Sequence, residues 1–336
     1  MWGEPAPSAA PKSACAMARV IARRFAVSVL DALPEGITGI DTYMGGASEI
    51  TAGFLLAGDR PALIETGPAK VAGAVAAGVA DAGLDPADLA WIVVTHIHLD
   101  HAGGVGYLVR TFPNATVVVH PAGARHLVDP ARLLASSARV YGPLMDTVYG
   151  GLTPVEAARI RAAEDGEVLD LGGRRLELLH APGHAKHHLA VFEPDLGALF
   201  AGDGVGVLLP STGVLRPATP PPDFDRDLAV ASLRRFAERN PAHLVLTHFG
   251  PITPPADRLA EAEDKLLRWC ETAERAAQEH GLELDHIEAA LRERFEQEEG
   301  HRALDPERFE LLNSYESNAA GLLRWIQQRQ ARATDG

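Results

Sequence analysis

The chain has 336 residues, 46% of them hydrophobic and 23% charged, with a formal net charge of −14 from 45 acidic and 31 basic residues. That length can bury one large core with an accessory piece, and no apolar run reaches the roughly 18–20 residues that span a bilayer, so no membrane association is expected. The acidic balance disfavours a nucleic-acid partner, and two cysteines, Cys15 and Cys270, are too few for a disulfide framework, which fits a reducing cytoplasm.

Residues 1–18 are rich in Pro, Ala and Ser, carry Glu4 and lack an apolar core segment. They read as a disordered lead-in and not as a signal peptide. From about Arg19 the pattern turns β-like. Ile37–Tyr43, Gly53–Ala57 and Pro61–Glu65 are short apolar runs, the last two separated by Gly58-Asp59. Lys70–Ala82 reads as a helix stopped by Gly83. Ala90–Thr95 is a continuous apolar run, as expected for a strand buried on both faces.

Gly103–Thr111 reads as a helix, and Thr116–Val119 as a strand. Residues 121–165 read as helix and loop, with Tyr141, Leu144, Met145 and Tyr149 placed to line an apolar pocket or to cap the core; 127–153 is a candidate lid. Strands return at Arg175–His180, Leu189–Glu193, Ala198–Ala201 and Leu244–Thr247, with a helix over Phe224–Glu238. Beyond Pro254 everything reads as helical. Leu259, Leu266, Cys270, Ala273 and Ala277 share one helical face, Gly281 stops that helix, Asp285 with Glu288 opens the next, and Asp305-Pro306 opens a third reaching about Arg329. Three regions result: the lead-in, a mixed α/β catalytic domain over 19–253 and a helical region over 254–333.

Three of the 14 histidines fall within the six residues His96-Ile97-His98-Leu99-Asp100-His101. The run directly follows a buried strand, where α/β sheets place their sites. Imidazole and carboxylate suit zinc, and also iron or manganese. Four such ligands on one loop can face two neighbouring ions. His184 in Ala181-Pro182-Gly183-His184, Asp203 in Gly202-Asp203-Gly204 and His248 in Leu246-Thr247-His248 each follow an apolar strand and are candidate further ligands. Chelation by any of them needs neutral His and ionised Asp.

This set, HxHxDH, then PGH, then GD, then a late TH, resembles the metallo-β-lactamase-fold hydrolase superfamily over roughly residues 37–253. The resemblance implies a four-layer αβ/βα sandwich with the site at one edge and the helical region appended. It implies that His96, His98 and His184 hold one divalent metal, that Asp100, His101 and His248 hold a second, and that Asp203 bridges them. His188 matches a histidine that usually supports the site without ligating, and Glu65 stands where many members carry Asp. The expected chemistry is hydrolysis by a hydroxide generated between two ions, most readily zinc, with Asp100 orienting the nucleophile and passing a proton to the leaving group.

The expected substrate is a small ester, thioester or lactone, as in the glyoxalase II-like and lactonase-like branches. Gly204 follows Asp203 where many lactonases carry Tyr. A flavodiiron redox enzyme would carry Glu at the position of His98, a single-iron dioxygenase uses fewer ligands, and a non-catalytic metal-binding protein would have lost one. A homodimer through the C-terminal helices is expected as an alternative to their packing on the core.

Overall fold

The computed structural model describes residues 28–209, 212–299 and 312–334. The lead-in expected over 1–18 and the helix start expected at Asp305-Pro306 lie outside the described residues. The first sheet is built from β1 (Ile37–Asp41), β2 (Ala52–Leu56), β3 (Ala62–Ile64), β4 (Trp91–Val93), β5 (Thr116–Val119) and β6 (Ile160–Ala162), side by side in chain order. The β3–β4, β4–β5 and β5–β6 pairs are parallel. Such pairs need crossovers, and helices supply them: α1 (Ala72–Asp81), then α2 (Leu99–Ala102) and α3 (Val105–Thr111), then α4 (Pro121–Val128) and α5 (Ala131–Tyr141).

The second sheet contains β7 (Glu167–Asp170), β8 (Arg175–His180), β9 (Leu189–Glu193) and β10 (Ala198–Phe200). A hairpin, β11 (Val207–Leu209) with β12 (Val214–Arg216), and a helix, α6 (Arg226–Glu238), lead to β13 (His243–Val245), which joins the sheet beside β10. Asp225 caps α6 by accepting the N–H groups of Asp227 and Leu228. Among the described residues three long helices follow: α7 (Pro255–His280), α8 (Leu284–Glu299) and α9 (Tyr315–Thr334). Pro255 opens α7, and Gly281, at φ +94°, ends it in a conformation that glycine adopts without strain.

Alternation along the strands sets the layers. Ile64, Val93 and Val118 face inward and meet Leu178, Val191, Phe200 and Val245 from the other sheet. Phe54 and Phe200 meet there with centroids 5.3 Å apart. Burying a side chain of that size contributes about 1.5–3 kcal/mol. Leu63, Ile92 and Val117 point the other way, under the helices of the first half. Ala190, Leu199 and Leu244 point outward from the second sheet, under α6–α9. The result is helix, sheet, sheet, helix, the four-layer sandwich that the resemblance implies, with the C-terminal helices packed on the second sheet.

Three local features differ from expectation. Leu99–Ala102 is a helical turn and not an open loop, so Asp100 and His101 project from the start of a helix. Strands β6 and β7 were not anticipated, because Ile160–Ala162 and Glu167–Asp170 are half-buried or exposed apart from Leu169 and carry no apolar alternation. The β11–β12 hairpin was missed as well, its strands being only three residues each.

Strand direction positions the site. β10 is parallel to β13, and both β8 and β10 are antiparallel to β9. The residues following β8, β10 and β13 therefore leave the sheet at one edge. Two backbone hydrogen bonds join the sheets at that edge: Leu189 N–H to Thr95 O at 2.7 Å, and Ala52 N–H to Thr247 O at 2.9 Å.

Candidate metal centre

All seven residues singled out from the sequence meet at this seam. His96 Nε2 lies 2.9 Å from His98 Nδ1, and His184 Nε2 lies 3.0 Å from the same atom. Those three nitrogens form one cluster. The second cluster comprises Asp100, His101 and His248, with Asp100 Oδ2 3.3 Å from His248 Nε2 and 3.6 Å from His101 Nε2. Asp203 stands between them. Its Oδ2 is 3.6 Å from His184 Nε2, while its Oδ1 is 3.2 Å from His101 Nε2 and 3.5 Å from His248 Nε2.

Four of the five candidate rings, those of His96, His101, His184 and His248, are aimed by their other nitrogen, which fixes the lone pair toward the site. His184 Nδ1 donates to Ala218 O at 3.0 Å, and His248 Nδ1 to Ile50 O at 3.2 Å. His96 Nδ1 meets Thr95 Oγ1 at 3.0 Å. Glu65 reaches His101 Nδ1 at 3.0 Å with one oxygen and accepts the Thr95 N–H at 2.9 Å with the other. The longer acid thus serves two partners, from a backbone at φ +67°. His188 Nε2 accepts the Asp203 N–H at 3.3 Å, so it holds the backbone of the residue that stands between the two clusters.

The electrostatics match the geometry. Burial first, and neighbouring imidazoles second, hold His96 and His98 well below the ordinary imidazole pKa. Neutral imidazole is the ligating form. Burial alone would raise the Asp100 carboxyl, but His101 and His248 beside it bring it down to about 2. Burial opposes a charged His101 too, yet the carboxylates of Asp203, Asp100 and Glu65 outweigh it and raise its pKa well above the usual value. Asp100 Oδ1, Asp203 Oδ1 and His101 Nε2 are buried, and none makes a well-formed hydrogen bond. Buried polar atoms left this way are costly. The residues present therefore fit divalent cations, which would satisfy all three atoms at once.

The depressed histidines make an acid-sensitive apoprotein. His96, His98 and His188 are held well below their ordinary pKa, chiefly by burial, and His187 is lowered to about 3, again chiefly by burial. Below the unfolded value near 6.5 the unfolded chain takes up protons that the folded chain refuses, so stability falls as pH falls. Each contributes up to about 1.4 kcal/mol per pH unit. The raised His101 and His248 act at the other end: their contribution is complete below pH about 6.5 and is lost only as pH rises through their folded values. Scanning calorimetry in chelator is expected to show Tm dropping from pH 7 to pH 5. A flat profile would mean that these rings are not buried neutral.

A cleft of about 240 Å³ opens over the clusters, walled by Asp100, His184, Asp203, Tyr141 and, from the segment before α9, Asn313 and Ser314. Tyr141 enters from α5 and stacks on the buried Tyr149 at 4.2 Å. Of the four residues expected to line a pocket or cap the core, Tyr141 and Leu144 do both, while Met145 packs only on the core and Tyr149 is buried in it.

The profile of the metallo-beta-lactamase superfamily matches residues 45–248. The chain belongs to the metallo-β-lactamase superfamily. A metallo-β-lactamase fold-containing protein of Sulfurisphaera tokodaii, ST1585, is 35% identical over 170 residues, 49% of this chain and 62% of that protein. The crystal structure of ST1585 matches with a TM-score of 0.60 and 28% identity, covering 70% of this chain and 87% of that one. A hydroxyacylglutathione hydrolase of Aeromonas hydrophila is 32% identical over 112 residues, 33% of this chain and 32% of that enzyme. The human acyl-coenzyme A thioesterase MBLAC2 is 30% identical over 118 residues, 34% of this chain and 40% of that enzyme. In sequence, the match spans less than two thirds of the length of each of these three curated relatives.

Several supporting groups have no mark in the sequence of this superfamily member, since backbone carbonyls at Ile50 and Ala218 do the aiming. The Ala218 carbonyl is itself held from afar. Its neighbour Thr219 donates both its N–H (2.6 Å) and its hydroxyl (2.9 Å) to Oδ1 of buried Asn318 on α9. Asn318→Ala leaves the Thr219 N–H unpaired, while the hydroxyl keeps only the Asn318 backbone carbonyl at 3.2 Å, and is expected to cost about 1–3 kcal/mol of stability. Metal affinity is expected to fall by roughly 10- to 100-fold as His184 loses its aim. Thermal unfolding and chelator competition read the two effects separately.

Proposed function

We propose that this chain is a metal-dependent hydrolase that cleaves a thioester of a small molecule in the cytoplasm. In this reading His96, His98 and His184 would hold one zinc ion, Asp100, His101 and His248 would hold another, and Asp203 would serve both. The observation that carries it is the division of Asp203, whose Oδ2 faces His184 while its Oδ1 faces His101 and His248. A carboxylate shared in this way serves two cations better than one.

When bound, such a pair of ions acidifies a water molecule and polarises a carbonyl oxygen. The chain's own groups do the rest. Asp100, ionised at neutral pH, lines the cleft and keeps a buried Oδ1 without a hydrogen-bond partner among the described residues. It orients the attacking water, accepts its proton and returns it to the departing sulfur. Tyr141 and the segment at Asn313 and Ser314 confine the acyl group. The names of the hydroxyacylglutathione hydrolase and the acyl-coenzyme A thioesterase support a thioester over a lactone, and so does Gly204 in place of a tyrosine after Asp203.

Elemental analysis of the purified protein is expected to give two zinc ions per chain. A panel of acyl thioesters, esters and lactones with matched acyl groups is expected to show the highest kcat/KM on thioesters. One iron per chain, or turnover confined to lactones, would overturn the reading.

A further inference from the structure

A second cavity, of about 230 Å³, lies beside the cleft. His98, Val140, Tyr141 and Pro220 line both, so the two are contiguous past the first metal cluster. Its charged lining is lopsided. Arg125 from α4, Arg132 from α5 and Lys186 from the β8–β9 loop converge on it, against one carboxylate, Asp223. That carboxylate is already engaged, 2.8 Å from Lys186 Nζ and 3.7 Å from His187 Nε2. Among the described residues, the Arg125 side chain hydrogen-bonds only the ring of its neighbour His126, at 3.2 Å, and Arg132 has no ion pair. On a chain with a net charge of −14, two guanidinium groups without carboxylate partners at the rim of one cavity stand out. Ser136 and buried Ser137 add hydroxyls between them, and Ile97, Leu133 and Pro221 form an apolar floor.

Guanidinium forks match phosphate and carboxylate oxygens two at a time, and a local positive rim concentrates anions from solution. We infer that this cavity is the subsite for the anionic end of the substrate, holding the phosphoryl or carboxylate group of the thiol half while the scissile bond lies over Asp100. The inference rests on the thioester reading and narrows it: the substrate is the thioester of a charged thiol. Arg125 and Arg132 are the specificity-determining residues. Nothing in the sequence places them together, because they sit on two different helices and face a loop some sixty residues downstream.

The test pairs activity with binding. On the zinc-loaded enzyme, an acyl-coenzyme A and the same acyl group on pantetheine differ in their phosphates, and S-acylglutathione and the N-acetylcysteamine thioester differ in their carboxylates. The charged member of at least one pair is expected to have a kcat/KM about tenfold or more above its neutral counterpart. The double variant Arg125→Gln/Arg132→Gln is expected to reduce that ratio by roughly tenfold, since each exposed ion pair contributes up to about fivefold. Arg139→Gln, on α5 but outside the cavity, keeps the wild-type ratio. Adenosine 3′,5′-bisphosphate and S-methylglutathione, which have no scissile bond, are titrated into wild type and double variant by calorimetry. Loss of bisphosphate binding in the variant assigns a phosphate, and loss of S-methylglutathione binding assigns a carboxylate. Equal ratios in wild type and variant, with neither probe distinguishing them, overturn the subsite while turnover of neutral thioesters leaves the hydrolase intact. Absence of any thioester turnover overturns the hydrolase reading, and the binding titrations still decide the cavity.

Discussion

Asp203→Asn is expected to reduce metal content from two ions per chain to one and to lower kcat/KM on the order of 10³-fold. The amide has nearly the volume of the carboxylate and keeps the backbone N–H that His188 accepts, so packing is preserved. It has a single oxygen, however, and cannot face His184 and His101 together as the two carboxylate oxygens do. It also removes the largest of the charges that raise the His101 pKa, which makes the substitution costly even without metal. Elemental analysis of the variant after metal loading, beside circular dichroism to establish the fold, decides the matter. A variant that retains two ions and full activity would show that Asp203 bridges nothing.

Gly183→Ala is expected to carry a large structural penalty beside the site, because clash and backbone conformation both oppose it. Gly183 adopts φ +144° in the turn between β8 and β9, and an added methyl would stand 2.3 Å from Ala229 Cα and 2.5 Å from its backbone nitrogen. Backbone cannot yield as a side chain does, so either α6 or the turn must move. The expected cost is about 3 kcal/mol from the clash and the forced conformation together, with kcat/KM down by roughly 100-fold because His184 is the next residue. Gly166→Ala supplies the comparison: it has positive φ and open space around it, and its expected cost is only about 1 kcal/mol. If the two variants melt at the same temperature, the close approach of the turn to α6 is not what constrains residue 183.

The ligands were legible because each follows a strand whose neighbours are all apolar. A histidine or aspartate interrupting such a run stands out, as at Thr95-His96, Gly202-Asp203 and Thr247-His248. The mixed α/β class was legible for the same reason, since buried strands announce covering on both faces, whereas the four layers followed from the family resemblance. Whatever depends on unmarked atoms or on distant partners was hidden. The carbonyls of Ile50 and Ala218 belong to residues of no chemical distinction. Asn318 lies 99 positions from Thr219. Edge strands such as Ile160–Ala162 bury little and so show little pattern. Glu65 was visible as an acid, but its two simultaneous partners follow from a left-handed backbone that a glutamate seldom adopts.

The bond from Thr219 to Asn318 has a consequence for how the molecule is made. Every candidate ligand has been synthesised once His248 is in place, yet the carbonyl beside Thr219 that aims His184 has no anchor until the ribosome has added 70 further residues. The site therefore reaches its final geometry after the whole catalytic half has been translated. Chains cut between residues 254 and 311 would carry all seven candidate ligands and still hold His184 loosely. Metal uptake by such chains, compared with the intact protein during translation in vitro, would report the arrival of α9 as the moment of maturation.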